Sequence, residues 1–398
     1  MRRAPLSILL ASPAYWPARA FGGPVVVARE LVRRLVERGH RVDVVTTTLV
    51  DMQRRPAAHG RTEAVDGATV HYLPTPFSYR WMGITPTLPL ELRGRGRPDV
   101  AHVFGFRDPV TTGTALWCRA RRIPYVFEPL GMFRPRLRKV RLKRAFDATV
   151  ARGVASGAAV VVVSSVRERN DVVACGVPAE RVVVRGNGFP EPPPPGREPA
   201  AAREAAGVPG DAPLVLAVGR IAAGKGIEHL VAAARRLEDA HVVLVGPDDR
   251  HGAIDLVRAA QSDPATAGRV HALPPSDGPP WDLYRAADVV VLASAGESFG
   301  LVAAEAAAVG TAIVVTDRCG IADYFREGEA LVVPYEGDAV VEAIRRVLAD
   351  ETLRAQLAAG GIAAARRCSW ERVTDLQEEI YRAAAARAAV TKSSTLGS

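Results

Sequence analysis

A chain of 398 residues is too long for one ordinary hydrophobic core and about right for two α/β domains. Hydrophobic residues make up 48% of it, which excludes a disordered chain, and the net charge of +9 suits anionic small molecules or an anionic membrane surface without implying nucleic acid. The four cysteines, Cys118, Cys175, Cys319 and Cys368, lie far apart, so no metal or redox motif exists and a reducing, cytoplasmic setting is expected.

The first residues superficially resemble a secretory signal. Their apolar run, residues 6–11, is shorter than the usual signal core and leads into a glycine loop, so a first buried strand is the better reading. No apolar run reaches the ~20 residues that span a bilayer. After the loop Phe21-Gly22-Gly23-Pro24, the stripe Val25, Ala28, Leu31, Leu35 predicts a helix that stops at Gly39. Residues 41–46 form the next strand. Gly22 and Gly23 sit at a strand-to-helix turn, where glycines let ligand oxygens approach backbone amides; a plain tight turn would use them equally well. The spacing is not G-x-G-x-x-G, so the dinucleotide fingerprint is absent.

Residues 51–67 read as a polar loop and 69–73 as a short strand. Residues 77–98 are rich in Pro, Gly and aromatics, with helical potential only at 88–93. Residues 100–103 form a strand carrying His102, and a lone histidine there is either a core residue or a functional one. A helix over 109–121 and a strand over 125–128 follow, ending at Pro129-Leu130-Gly131. Residues 134–144 hold Arg134, Arg136, Arg138, Lys139, Arg141, Lys143 and Arg144, leading into the stripe Leu142, Phe146, Val150. Such a segment suits peripheral contact with an anionic membrane, and a solvated basic face remains an equal alternative. Strand 160–164, helix 166–175 and strand 182–184 complete the first half. The run Pro190-Glu191-Pro192-Pro193-Pro194-Pro195-Gly196 reads as a stiff linker.

Alternation restarts with strand 214–218, the turn Gly219-Arg220-Ile221-Ala222-Ala223-Gly224-Lys225-Gly226, and helix 227–237. This nearly matches the P-loop pattern, but Gly226 stands where a metal-binding hydroxyl is needed. Arg220 and Lys225 beside a glycine turn at a helix N-terminus still suit a diphosphate. Strand 241–245 ends at Gly246-Pro247-Asp248, and strand 270–273 and helix 281–287 follow. Strand 289–292 runs into the turn 293–296 and a helix over 301–309, stopped by Gly310. Glu297 in that turn and Glu305 in the helix are acceptor-only carboxylates suited to a polyhydroxylated ligand at the C-terminal edge of a parallel sheet. Further strands at 311–315 and 331–333, helices at 338–348 and 353–366, and a last helix over 370–389 are expected. The fold class is therefore α/β, with doubly wound parallel sheets on both sides of the linker.

In this order the pieces resemble the family 4 retaining glycosyltransferases of the GT-B fold (glycosyl transferase group 1). The resemblance is carried by Gly22-Gly23, Gly219-Arg220 with Lys225-Gly226, Gly246-Pro247-Asp248, and Glu297-Ser298-Phe299-Gly300-Leu301 with Glu305, a Glu-x7-Glu signature followed by Val314-Val315-Thr316-Asp317. It implies two facing Rossmann-like domains with the active site in their cleft. The boundaries expected are an acceptor-side domain over 1–189, a linker over 190–199, a donor domain over 200–370, residues 371–390 packing back on the first domain, and a disordered tail over 391–398. It implies transfer of a hexose or deoxyhexose from a nucleoside-diphosphate sugar, with retention and without metal or other cofactor. Arg220 and Lys225 would bind the diphosphate, Glu297 the sugar hydroxyls, the amides of Phe299, Gly300 and Leu301 the sugar and phosphate, and Glu305 the ribose. Ser298 and Gly246 would join the donor site, and Gly22 and Gly23 would let their loop approach the phosphates.

Two departures fall on the acceptor side. The family's D-x-x-H-x-H appears here with His102 retained, as a candidate catalytic residue, and Phe104 in the second position. Its T-P-H-G appears as Glu128-Pro129-Leu130-Gly131. The acceptor, whether glycan, lipid-linked or small molecule, is therefore left open. The expected location is cytoplasmic, with the basic segment at the inner membrane face. Two other readings also stay open: an epimerase acting on a nucleotide sugar, and a non-catalytic nucleotide-sugar-binding partner of another transferase.

Overall fold

A computed structural model describes residues 4–51, 54–79, 81–133 and 152–396. The basic segment 134–144 lies outside the described residues. The chain divides into two compact units, one of residues 1–186 with 371–398, the other of residues 187–370.

The first unit is built on eight strands: β1 Ser7–Ala11, β2 Arg41–Thr47, β3 Arg61–Val65, β4 Ala68–Leu73, β7 Val100–Phe104, β8 Tyr125–Glu128, β9 Val160–Val163 and β10 Val182–Val184. Their order is β10-β9-β8-β7-β1-β2-β4-β3. All neighbours pair in parallel except β3 with β4. Two features depart from the expected loops. Strand β3 lies within the stretch read as polar, and its hairpin to β4 turns on Asp66 and Gly67, with φ of 49° and 81°. That pair of left-handed residues is the two-residue turn whose twist matches a β-hairpin, and Asp-Gly is its sequence mark. The second is a separate hairpin of β5 Phe77–Tyr79 and β6 Met82–Ile84. Its strands are three residues each, too short for alternation to be legible.

The last helix, Trp370–Leu396, begins in the second unit and continues into the first from Glu371. It extends through most of the stretch read as a disordered tail. Arg38 and Arg382 both pair with its Glu378, and Arg38 also reaches Asp375 at 2.6 Å.

The second unit carries β11 Leu214–Val218, β12 His241–Val245, β13 Val270–Leu273, β14 Val289–Leu292, β15 Ile313–Thr316 and β16 Leu331–Val333, all parallel, in the order β13-β12-β11-β14-β15-β16. Successive side chains on a strand point to opposite faces, so a sheet covered on both sides reads as a continuous apolar run. Val215, Val242, Leu244, Val289, Val291 and Val314 enter one core, and Leu214, Leu216, Val243, Val245, Val290 and Val315 the other. Helices Pro199–Ala205 and Ala253–Ser262, not anticipated, cover part of these faces. The proline-rich stretch does not stand free: the Arg285 guanidinium donates to the Pro193 carbonyl, and the Gly196 amide to Asp282 at 3.0 Å. Among the described residues, no helix is long and apolar enough to cross a membrane.

Candidate active site

In the second sheet the strand order reverses between β11 and β14, the position where open α/β sheets bind ligands at the strands' C-terminal ends. The turn after β11 is residues 219–226, and the loop after β14 is residues 293–300. They are stitched together: the Ala295 amide donates to the Gly224 carbonyl at 2.8 Å. Gly226 has φ +73°, and a Cβ there would collide with the Ala293 carbonyl. Only glycine lets the two loops come this close. The turn after β12 joins them, since a Cβ on Gly246 would strike the Gly219 carbonyl and Ile221 donates to Pro247 at 2.9 Å.

Two helix N-termini follow from this stitching, Gly226 capping Ile227–Arg236 and Gly300 capping Leu301–Val309. First-turn amides have no intrahelical acceptor, and the helix dipole adds partial positive charge, so such ends favour anions. Gly300 has φ +122°, and a Cβ there would come within 2.7 Å of Leu292. Phe299 is buried, edge-on to Tyr324 with centroids 5.2 Å apart, and anchors the loop.

Lys225 and Glu297 form an ion pair across the two loops. Ser294 donates to the same Glu297 oxygen at 3.0 Å, and Thr316 donates to the Ser294 carbonyl at 2.6 Å. Glu297 is also held through its backbone, donating to Arg318 at 3.2 Å and accepting from Gly320 at 3.1 Å. Arg220 lies exposed on the turn. Glu305 sits one helical turn past Leu301 and accepts from the Tyr284 hydroxyl at 2.6 Å. Burial pushes its carboxyl up to about 7, with the Tyr284 bond pulling the other way. Ser298 precedes Phe299 and Gly300 on the loop, and Leu301 opens the helix that follows. Gly219, Arg220, Lys225, Gly246, Glu297, Ser298, Phe299, Gly300, Leu301 and Glu305 thus share one edge of one sheet.

The remaining candidates belong to the first unit. Gly22, with φ +76° and open space where a Cβ would stand, caps the helix Gly23–Glu37. His102 lies on β7 with no exposed side-chain surface. Its Nδ1 shares a hydrogen bond with the Tyr381 hydroxyl at 2.7 Å, and its Nε2 lies 3.2 Å from Glu128. Glu128 pairs in turn with Arg185 at 2.9 Å, and Arg185 donates to Gln377 at 2.6 Å. Burial holds His102 below the ordinary imidazole range despite Glu128. Burial also pushes Glu128 up, yet Arg185 and His102 together hold it below the usual carboxylate range. His102, the candidate catalytic residue, thus lies buried on its own sheet between Tyr381 and Glu128. Four further residues, Ser294, Tyr284, Arg185 and Tyr381, escape the sequence reading. Ser294 stands three residues before Glu297 and could have been suspected. The other three meet their partners only through tertiary packing.

The fold defines a class: two α/β units, each built on a parallel or largely parallel sheet, as in GT-B glycosyltransferases. Residues 200–363 match the family model for glycosyl transferases group 1, and residues 22–188 match a glycosyl transferase 4-like domain. The chain is 32% identical to the D-inositol 3-phosphate glycosyltransferase of Xylanimonas cellulosilytica, over 92% of this chain and 93% of the relative. It is 30% identical to D-inositol 3-phosphate glycosyltransferase 1 of Catenulispora acidiphila, over 96% of each. Among solved structures, sucrose-phosphate synthase from Thermosynechococcus elongatus superposes with a TM-score of 0.74 at 24% identity, covering 96% of this chain and 98% of the other. The chain belongs to the group 1, family 4-like glycosyltransferases.

Proposed function

We propose that this glycosyltransferase moves a hexosyl or deoxyhexosyl group from a nucleoside-diphosphate sugar to a hydroxyl acceptor, with retention of anomeric configuration and without a metal. The observation that carries the reading is the Lys225–Glu297 pair between two helix N-termini. Each partner satisfies the other. An arriving diphosphate, with the N-terminal amides, takes over Lys225, and Glu297 turns its freed acceptor capacity to the sugar's hydroxyls. Arg220, exposed on the same turn, adds a second cation, so two side chains supply the charge a metal would otherwise bring. Glu305 accepts from the ribose.

The bond from the anomeric carbon to the diphosphate oxygen breaks as charge grows on that oxygen, where Lys225, Arg220 and the amides stabilise it. The acceptor hydroxyl attacks from the same face and gives its proton to the leaving diphosphate. The relatives' names point to an acceptor in the class of phosphorylated cyclic polyols.

The test is a panel of UDP-, GDP-, ADP- and dTDP-sugars with inositol, inositol 3-phosphate and simple glycosides as acceptors. Nucleoside diphosphate release is followed with and without EDTA, and the product's anomeric configuration is read by NMR. Acceptor-dependent release that survives EDTA and yields the donor's configuration is expected. Loss of activity with EDTA overturns the metal-free mechanism, and an inverted product overturns retention.

A further inference from the structure

Glu305 does not stand alone at the donor edge. The helix Trp281–Ala286 brings Tyr284, a side chain with no exposed surface, against it. The Tyr284 hydroxyl donates to one Glu305 oxygen at 2.6 Å. The tyrosine is itself fixed: its carbonyl accepts from the Thr311 hydroxyl at 2.6 Å, and its ring meets Trp281 edge-on at 6.1 Å. A carboxylate offers two oxygens, so engaging one from behind leaves the other to accept from a ligand. We infer that Tyr284 is the positioning residue of the ribose subsite: it holds Glu305 in one orientation and keeps its free oxygen presented as an acceptor for a ribose hydroxyl. The inference rests on the donor-site reading above.

The chemistry is one-directional. Burial and the neighbouring Glu305 both push the Tyr284 phenol well above its ordinary range, so it remains a neutral donor. A donor stabilises the charged form of its partner, so Tyr284 opposes the burial that pushes Glu305 up to about 7. No other charged group stands in for it among the described residues. Asp282 and Arg285 on the same helix pair with each other at 3.5 Å. On the packed helix Glu351–Arg367, Arg367 is engaged by Glu329 at 2.6 Å. The burial of Glu305 and the Tyr284 bond act on its carboxyl in opposite directions.

Tyr284→Phe keeps the ring and removes only the donor. Binding of UDP, GDP and ADP, each beside its 2′-deoxy counterpart, is measured by calorimetry across pH 6 to 9 for wild type and variant. The whole protein is used, with inorganic pyrophosphate as a control for the diphosphate end. For the base that binds wild type, the ribose form is expected to exceed the deoxy form. In the variant that ratio falls about tenfold at pH 7, the scale of one hydrogen bond to a charged group. It recovers towards pH 9, where Glu305 ionises without help, while pyrophosphate affinity is unchanged. A merely structural role would weaken pyrophosphate as well and leave the ratio flat with pH. An unchanged ratio in a variant that binds nucleotide overturns the role of Tyr284 alone. Wild-type protein that binds none of the three nucleotides overturns the donor-site reading and this inference with it.

Discussion

Lys225 and Glu297 neutralise each other, so removing either has consequences beyond its own contact. Lys225→Ala deletes a cation facing charge that grows as the donor bond breaks. We expect kcat to fall about 10²–10³-fold and donor affinity to fall less, read from steady-state kinetics. Glu297→Ala should cripple transfer while nucleoside-diphosphate binding survives, because it frees Lys225 and misplaces only the sugar. A Glu297→Ala protein with full transfer activity would remove the basis of the proposed function. Glu305 carries a folded-state pKa near 7, above its ordinary carboxylate value. A raised carboxyl binds more protons folded than unfolded, so its contribution to stability declines as pH rises from about 4.5 through 7. Glu305→Gln keeps an acceptor for Tyr284 and removes that decline. The melting temperature of the ligand-free variant should exceed wild type at pH 8 and match it near pH 4.5, while ribose-dependent binding is lost.

At the scale of elements, the site depends on loops that touch through backbone. Gly226→Ala meets both a left-handed φ and the Ala293 carbonyl. Destabilisation of more than about 1 kcal/mol is expected, with weaker nucleotide binding, because the 293–300 loop must retreat. Urea unfolding and calorimetry read the two effects separately. The last helix depends on charge in the same way. Arg185 joins Glu128 on β8 to Gln377 on that helix, all buried. Arg185→Ala strands the Glu128 carboxylate in the core, at a cost of about 3–5 kcal/mol. Glu128→Gln in the same chain should recover part of the loss, measured as the shift in urea midpoint.

At the scale of the whole molecule, each unit has its own cores. Scanning calorimetry should resolve two transitions. A saturating nucleoside diphosphate should raise only the one that belongs to residues 187–370, by about 2.7 kcal/mol at one hundred times its Kd. A ligand that shifts both transitions equally would place its contacts on both units.

The apolar runs over β11, β12, β14 and β15 were legible because a strand covered on both faces has no polar side to interrupt it. The glycines 219, 226, 246 and 300 were legible because their turns need conformations that other residues resist. These two signals located the donor edge. The short strands were not legible: β5 and β6 have no room for a period, and β3 is exposed along most of its length, so burial left no mark on it. What the tertiary structure decided was partnership. Lys225 meets Glu297 across 72 positions, Tyr284 meets Glu305 across 21, and His102 meets Tyr381 across 279. Residue type and local spacing carry a side chain's capacity to donate, accept or hold charge. Which partner uses that capacity depends on strand order and on a chain that returns to its first sheet at its end, and so His102, a candidate for chemistry by pattern, is a core residue by position.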